Sequence, residues 1–212
     1  MRQKFKPWAK PYILENAQYD MFSETSITKY HHFTHHILEI GMGKGDFLHA
    51  FAKSNKEIFF TGVEVNPNCG AVAMKKCIDD ELENVSFLIK DAKELIRCEE
   101  LGLKFDVIYL NFPDPWPKKR HNKRRLTAPI FMSLYRTILK KDGKVILKTD
   151  NLDFLEDSLV TFSSLHLKIL SVDRNLKISS EPMSAYEMKY RSDGKTIYKV
   201  EVMYAEDIEN KH

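Results

Sequence analysis

The chain has 212 residues, of which 43% are hydrophobic and 30% are charged, so we expect one well-buried globular domain rather than a disordered chain. No apolar run is long enough to span a membrane, and the N-terminus lacks the apolar core of a signal peptide, which predicts a cytoplasmic protein. Three cysteines without a CxxC pair argue against a disulfide framework and a zinc site. The net charge of +3 is too small to indicate a nucleic-acid partner by itself.

The N-terminal segment differs from the rest of the chain. Residues 1–30 alternate basic and aromatic residues without a clear period, as in KFKPW at 4–8, and we interpret them as an arm lying over the fold. Residues 31–212 are interpreted as a single domain.

From residue 37 onward, short apolar runs alternate with longer segments of helical period, the pattern of a parallel sheet with crossover helices. Five strands are predicted at residues 37–40, 58–63, 85–89, 105–110 and 144–148, with helices beginning near residues 47 and 66 and spanning 130–139 and 152–162. Two β-rich stretches, 167–172 and 196–202, could close the sheet with an antiparallel edge. The predicted fold class is therefore α/β and Rossmann-like, with a mostly parallel seven-stranded sheet, an antiparallel edge and helices on both faces.

A glycine-rich turn directly follows the first strand. It holds an acidic residue and three glycines at alternate positions: Glu39, Gly41, Gly43 and Gly45. This spacing does not fit the dinucleotide fingerprint, because Asp46 stands where the third glycine would fall. A carboxylate there is a poor neighbour for a pyrophosphate, which disfavours a nicotinamide dehydrogenase. An acid before the glycines instead suits a ligand with an ammonium group, such as S-adenosylmethionine.

Acidic residues also follow the next two strands. Glu64 ends the second strand, where a carboxylate would accept both ribose hydroxyls, and Asp91 after the third could border an adenine. Either acid by itself could be a helix cap, and the glycine turn could be merely structural. Their combination favours a cofactor site, because ligands of open α/β sheets bind at the carboxyl ends of the strands.

The segment after the fourth strand is stiff and then strongly basic. Residues 111–117, NFPDPWP, place three prolines around Asp114, and residues 118–125, KKRHNKRR, form a dense cationic cluster. A charge run is more often a solvated surface than a binding site. Its position beside the expected cofactor nevertheless favours phosphate, and hence a nucleic acid, as its partner.

Together these motifs resemble the bacterial tRNA (guanine-N7-)-methyltransferase family: LEIGMGKG at 38–45, GVE at 62–64, FPDPWPKKRH at 112–121 with RRL at 124–126, and TD at 149–150. The resemblance extends in order from about residue 37 to residue 187. Its proline-tryptophan-basic motif is highly specific, whereas the glycine loop is shared by many methyltransferases. The resemblance implies the class I S-adenosylmethionine-dependent methyltransferase fold. It also implies methyl transfer to guanosine N7, usually at position 46 in the variable loop of tRNA, with S-adenosylhomocysteine as the product.

The resemblance also assigns roles to residues. It implies a cofactor site formed by Glu39, Gly41, Gly43, Gly45, Glu64, Asp91, Ala92 and Asp114, with Asp114 also the catalytic residue. It implies substrate binding by Lys118, Asp150, Ser184 and Glu187, and RNA binding by Lys119, Arg120, His121, Asn122, Lys123, Arg124 and Arg125. One departure is that the family's Thr-x-x-Glu motif begins with Ser184 here, which keeps the hydroxyl and loses the methyl group.

The chemistry of the implied target places few demands on the protein. Guanine N7 carries a free lone pair and needs no general base, so catalysis should be mainly positional. We expect Asp114 to stabilise the positive charge that the purine gains, and Asp150 or Glu187 to accept hydrogen bonds from the guanine edge. Trp116 is interpreted either as a stacking residue or as a packing anchor.

The expected partner is tRNA, with no membrane, no obligate protein partner, and a monomeric or homodimeric state. The arm at 1–30 would either grip tRNA or cover the cofactor. No metal is expected, because the histidines at 31, 32, 35 and 36 share no convincing spacing with acidic or cysteine ligands. Two alternatives stay open: another nucleic-acid methyltransferase, for example one acting on an exocyclic amine, and a non-catalytic RNA-binding subunit on the same scaffold.

Overall fold

The computed structural model describes residues 5–178 and 181–205, except for the side chain of Lys119. Within them the strands are β1 (His35–Ile40), β2 (Ile58–Val63), β3 (Val85–Leu88), β4 (Phe105–Asn111), β5 (Leu139–Thr149), β6 (Leu167–Asp173) and β7 (Tyr198–Tyr204). The helices are α1 (Ala9–Glu15), α2 (Glu24–His31), α3 (Asp46–Ser54), α4 (Pro67–Asp79), α5 (Arg97–Glu100), α6 (Pro129–Ile138), α7 (Leu152–Ser164) and α8 (Ala185–Ser192). Short 3-10 turns lie at Ala17–Tyr19, Ala92–Ile96 and Lys119–Arg124.

The strands form one sheet in the order β3-β2-β1-β4-β5-β7-β6. Strands β1 to β5 are parallel, and β7 is antiparallel to both β5 and β6. The chain winds outward from β1 through β2 to β3 and then returns to β4 on the other side of β1. This reversal opens a crevice at the carboxyl ends of β1 and β4, where open α/β sheets bind ligands. The predicted fold class, including the antiparallel edge, is confirmed.

Helices cover both faces of the sheet because successive strand residues point to opposite sides. On β1, Leu38 belongs to a core cluster that also contains Phe131 of α6 and Phe154 of α7. Its neighbour Ile37 belongs to a second cluster with Phe47 of α3. The two clusters fix the sheet between its helical layers and leave the ends of the strands to form the site.

The N-terminal segment is tied to the sheet. The amide of Met21 donates to the carbonyl of Phe87 at 2.8 Å, and the buried Tyr30 hydroxyl hydrogen-bonds to the backbone of Lys104. The part of the predicted arm that the structure describes therefore contributes helices α1 and α2 and buried side chains, while its first four residues lie outside the described residues.

Strand β5 is longer than the predicted strand at 144–148. It begins at Leu139, which pairs with Phe105 before the register shifts between Phe105 and Val107. This extension could not be predicted from the sequence, because the residues from Lys140 to Lys144 are polar and carry no alternating apolar pattern.

Candidate active site

The glycine loop between β1 and α3 uses backbone conformations that side chains disfavour. Gly41, Gly43 and Gly45 have φ of +80°, +58° and +73°. A Cβ on Gly45 would lie 2.6 Å from the Cβ of Ala73, so glycine allows the loop to pass close to α4. A Cβ on Gly43 would meet nothing within 4 Å, so that side of the loop has room for a ligand.

Glu64 fastens this loop to the end of β2. Its Oε2 accepts a hydrogen bond from the amide of Gly43 at 2.9 Å, and its Oε1 accepts one from the amide of Asn66 at 2.8 Å. Burial raises the pKa of the Glu64 carboxyl, and these amide donors oppose the rise. Each carboxylate oxygen can accept two hydrogen bonds, so the side chain retains capacity for hydroxyl donors.

Asp91 and Ala92 begin the 3-10 turn after β3. Asp91 is exposed and caps the turn, because its Oδ1 accepts a hydrogen bond from the amide of Lys93 at 2.9 Å. Ala92 is buried beside it. The geometry is that of a helix cap, and the residue follows β3 at the same edge of the sheet as Glu64, because β2 and β3 are parallel neighbours.

Glu39, on β1, is a buried carboxylate with one unpartnered oxygen. The residue is 3% exposed, its Oε1 accepts a hydrogen bond from Asn111 Nδ2 at 3.0 Å, and its Oε2 has no hydrogen-bond partner among the described residues. Burial raises the pKa of Glu39 to about 7, although Asn111, the nearby backbone of Leu48 and the charge of Lys148 oppose the rise. A buried acceptor without a donor is costly, so this oxygen suits a ligand that brings a cationic N–H group. The residues present therefore fit S-adenosylmethionine, whose methionine part carries an ammonium.

The proline-rich loop after β4 holds Asp114 exposed in a strained setting. Phe112 and Trp116 have φ of +52° and +42°, in the left-handed region that bulky residues rarely adopt. The amide of Phe112 donates to the carbonyl of Lys148 at 2.8 Å, which fixes the start of the loop. Burial raises the pKa of Glu64, and the negative charge of Asp114 raises it further. The Asp114 carboxylate therefore lies near enough to Glu64, on the cofactor side of the crevice, to act on its ionisation.

Arg125 holds the other end of that loop. Its Nε donates to the carbonyl of Pro115 at 2.7 Å, its Nη2 donates to the carbonyl of Trp116 at 3.4 Å, and its Nη1 pairs with Asp157 at 2.8 Å. The residue is 8% exposed. The hydrogen-bond donors of Arg125 are thus used within the protein. This geometry favours a structural role for Arg125 over its predicted RNA contact.

The remaining cationic segment faces solvent. The exposed members are Lys118, Arg120, Asn122, Lys123 and Arg124, and the predicted contact of the Lys119 side chain lies outside the described atoms. His121 is half-buried with its ring edge-on to Trp116 at 5.7 Å, and the guanidinium of Arg124 lies 5.0 Å from the same indole. Trp116 therefore packs among its basic neighbours, and stacking on a base stays a prediction.

Ser184 and Glu187 are joined at the start of α8. Ser184 is the N-cap, and its Oγ accepts a hydrogen bond from the Glu187 amide at 3.1 Å, as in a capping box. Glu187 is buried, and its Oε1 accepts hydrogen bonds from Arg191 Nε at 3.0 Å and Nη2 at 2.7 Å. The loss of the family's threonine methyl leaves the cap intact, because the hydroxyl oxygen does the capping.

Asp150 directly follows β5, at the same edge of the sheet as the proline-rich loop after β4. It pairs with Lys195 at 2.5 Å, and the same ammonium lies 4.2 Å from the centre of the Tyr190 ring. Tyr190 in turn contacts Phe112, with ring centres 5.5 Å apart. The structure thus joins α8, the end of β5 and the proline-rich loop, and substrate binding by these residues stays a prediction.

A buried ion-pair network behind these residues was missed from the sequence. The Lys148 side chain is 0% exposed, and its Nζ lies 2.8 Å from Glu181 Oε2. Glu181 Oε1 accepts a hydrogen bond from the Tyr109 hydroxyl at 2.9 Å and lies 3.8 Å from the Lys199 ammonium. Burial would raise the pKa of Glu181, but Lys148 and Tyr109 lower it below its usual value. A lysine directly after the apolar run at 145–147 was the available signal.

Two negative findings concern only the described part of the chain. None of its helices is both long and apolar enough to cross a membrane. Across residues 5–178 and 181–205, no three His, Cys, Asp or Glu side chains are grouped as metal ligands. His36, one of the four clustered histidines, is buried with its Nε2 3.0 Å from the Tyr30 carbonyl.

The sheet order, the glycine loop and the acids at successive strand ends define a Rossmann-like methyltransferase fold. A solved structure of an antibiotic-related methyltransferase superposes with a TM-score of 0.61 at 18% identity, over 87% of this chain and 95% of that one. At this identity the likeness shows the fold alone. The family model described as "Putative methyltransferase" matches residues 34–200.

Two relatives of known name identify the particular methyltransferase family. The tRNA (guanine-N(7)-)-methyltransferase of Geobacillus sp. strain WCH70 is 40% identical over 96% of this chain and 96% of its own length. The enzyme of the same name from Listeria monocytogenes strain EGD-e is 39% identical over 96% of this chain and 99% of its own length. The chain belongs to the tRNA (guanine-N(7)-)-methyltransferase family, which confirms the resemblance seen in its motifs.

Proposed function

We propose that this protein transfers a methyl group from S-adenosylmethionine to N7 of guanosine 46 in the variable loop of tRNA. The observation that carries the proposal is the meeting of two features at neighbouring strand ends. The unpartnered Glu39 Oε2 lies beside the glycine loop after β1, and the exposed Asp114 lies in the strained loop after β4. Because β1 and β4 pair directly, both features border one crevice.

The cofactor would be held by residues from three successive strand ends. Glu39 would pair with its ammonium, Glu64 would accept its ribose hydroxyls, and Asp91 with Ala92 would border its adenine. The open side of Gly43 would leave room for the ligand at the loop backbone. S-adenosylmethionine supplies an electrophilic methyl group when it is bound.

The base would be held on the Asp114 side of the crevice. Asp114 is well placed to stabilise the positive charge that the purine gains, because the prolines on either side restrict the loop before the base arrives. Asp150 would accept hydrogen bonds from the guanine edge in place of the Lys195 ammonium that it now binds. Glu187 Oε1 is already held by Arg191, so the acceptor that Glu187 would offer the base is Oε2, which lies 3.6 Å from Lys148 Nζ.

The tRNA backbone would be held by the exposed cations that follow the loop. Lys118, Arg120, Lys123 and Arg124 are exposed, whereas Arg125 shapes the loop from within. Phosphate contacts of this kind position an RNA without reading its sequence, so base selection is assigned to Asp150 and Glu187. The encounter with tRNA would take place in the cytoplasm.

The test is methyl transfer from labelled S-adenosylmethionine into unmodified tRNA transcripts that carry either guanosine or adenosine at position 46. We expect label only in the guanosine transcript, recovered as 7-methylguanosine. An Asp114→Asn protein is the matched control, and we expect it to transfer less methyl label. Equal labelling of both transcripts would assign the enzyme to another target. Absence of label despite measurable cofactor and tRNA binding would support the non-catalytic RNA-binding subunit instead.

A further inference from the structure

Lys148 places one buried positive charge among carboxylates from separate parts of the chain. Its Nζ lies 2.8 Å from Glu181 Oε2 and 3.6 Å from Glu187 Oε2, and its charge also acts on Glu39. The side chain is 0% exposed, and desolvating an ammonium is costly, so an apolar residue would fill the same space at lower cost. The position therefore calls for an electrostatic explanation.

Two of the three carboxylates have other polar partners. Glu187 accepts two hydrogen bonds from Arg191, the shorter at 2.7 Å. Glu181 accepts a hydrogen bond from the Tyr109 hydroxyl and lies 3.8 Å from the Lys199 ammonium. Removing Lys148 would leave each of these acids with a remaining donor.

Glu39 is linked to Lys148 across the sheet, because Asn111, which donates to Glu39 Oε1 at 3.0 Å, pairs with Lys148 in the register of β4 and β5. The groups facing Glu39 are the neutral Asn111 amide and the Tyr109 phenol on β4, the Leu48 backbone and the Asp46 carboxylate on α3, and the Lys148 ammonium on β5. Asp46 disfavours ionisation of Glu39, so Lys148 supplies the one positive charge among the groups identified around it in the described structure. The charge of Lys148 thus favours the ionised state of Glu39, as do the hydrogen bonds from Asn111 and the Leu48 backbone.

We propose that Lys148 is a positioning residue for the cofactor, and that it keeps Glu39 ionised so that the buried carboxylate can pair with the ligand's ammonium. The inference rests on the proposed function for the identity of that ligand. It adds a role for a residue behind the pocket, two positions before Asp150.

The expected signature is a displaced pH dependence of ligand binding. Only the carboxylate form of Glu39 can pair with an ammonium, so affinity for S-adenosylhomocysteine should rise with pH until Glu39 is ionised, near pH 7. Without Lys148 the attraction that opposes burial is lost, and the rise moves to higher pH. A displacement of about one pH unit would lower the affinity about fivefold at pH 7, about ninefold at pH 6 and less than twofold at pH 8.5.

The experiment is calorimetric titration of the full-length protein with S-adenosylhomocysteine from pH 6 to pH 8.5, comparing wild type, Lys148→Met and Lys148→Arg. Lys144→Met is the matched control, because Lys144 lies on the same strand and pairs with Glu201 at 2.8 Å but has a side chain 36% exposed. Titration with 5′-methylthioadenosine, which lacks the amino-acid part, controls for the nucleoside. We expect only Lys148→Met to shift the profile, and only with the ligand that carries an ammonium.

A second variant keeps the proposal testable if Lys148→Met does not fold. Glu181→Gln removes a competitor for the Lys148 charge, so the S-adenosylhomocysteine profile should move to lower pH. Loss of affinity by the same factor at every pH in Lys148→Met, or an unshifted profile in Glu181→Gln, would overturn the proposal. If the wild type binds S-adenosylhomocysteine and these profiles fail to shift, only this inference fails. If the wild type binds none and transfers no methyl group, the proposed function fails as well.

Discussion

Replacing Glu39 by glutamine is expected to stabilise the protein at neutral pH and to weaken cofactor binding at the same time. The folded-state pKa of Glu39 is raised from its usual 4.5 to about 7, chiefly by burial, so the folded protein binds this proton more tightly than the unfolded chain. Stability contributed by the neutral acid is therefore lost as pH rises from about 4.5 to about 7. At about 1.4 kcal/mol per pH unit, the ionised side chain lowers the free energy of unfolding by about 3 kcal/mol above pH 7.

Glutamine keeps an acceptor for Asn111 and removes the charge, so the pH-dependent loss should disappear. We expect the free energy of unfolding of Glu39→Gln, minus that of the wild type, to rise by about 2–3 kcal/mol between pH 5 and pH 8. For a domain of this size this corresponds to roughly 5–10 °C in Tm at pH 8. Affinity for S-adenosylhomocysteine should fall about 10- to 100-fold, as for a lost charge-assisted hydrogen bond.

The assay is guanidinium unfolding at several pH values for the two proteins, with Glu57→Gln as a control that changes net charge by the same amount at an exposed position. Many groups titrate in this range, so the informative quantity is the difference between variant and wild type. If the Glu39→Gln and wild-type profiles run parallel, Glu39 is not the group that titrates near neutral pH, and the reasoning from its burial is wrong.

Four other substitutions separate chemistry, RNA binding and loop structure. Asp114→Asn should lower single-turnover methylation about 100-fold or more while changing S-adenosylhomocysteine affinity less, and unchanged turnover would remove Asp114 from the chemistry. Arg125→Met should lower the free energy of unfolding by about 1–3 kcal/mol, because the half-buried carbonyls of Pro115 and Trp116 lose their donor and Asp157 loses its partner. By contrast, Arg124→Met should leave stability unchanged and reduce the salt dependence of tRNA binding by about one phosphate contact. Denaturation measures the stability of the two arginine variants, and filter binding at several salt concentrations measures their tRNA binding. Equal losses of stability in both variants would contradict the structural role of Arg125. Gly45→Ala should cost about 2 kcal/mol or more in chemical denaturation, since its φ is +73° and its Cβ would lie 2.6 Å from that of Ala73; a fully stable variant would show that the loop can move.

Patterns local to the chain were sufficient to predict the order of the strands along it, the glycine loop and the acids of the cofactor side. Each strand carries its own apolar run, and the carboxyl ends of parallel strands meet at one edge, so Glu39, Glu64 and Asp91 could be placed together before any coordinates. The family motif added the target base, which no spacing or composition could have supplied.

Only the tertiary structure could decide which charged residues are buried and what they bind. Arg124 and Arg125 are adjacent and chemically identical, yet the exposed Arg124 lies over the half-buried Trp116 indole, whereas the buried Arg125 donates to the loop carbonyls. Lys148 finds Glu181 and Glu187 from distant parts of the sequence. Hydrophobic periodicity reports which face of an element is covered, but the pairing of buried charges depends on long-range contacts that leave no local pattern.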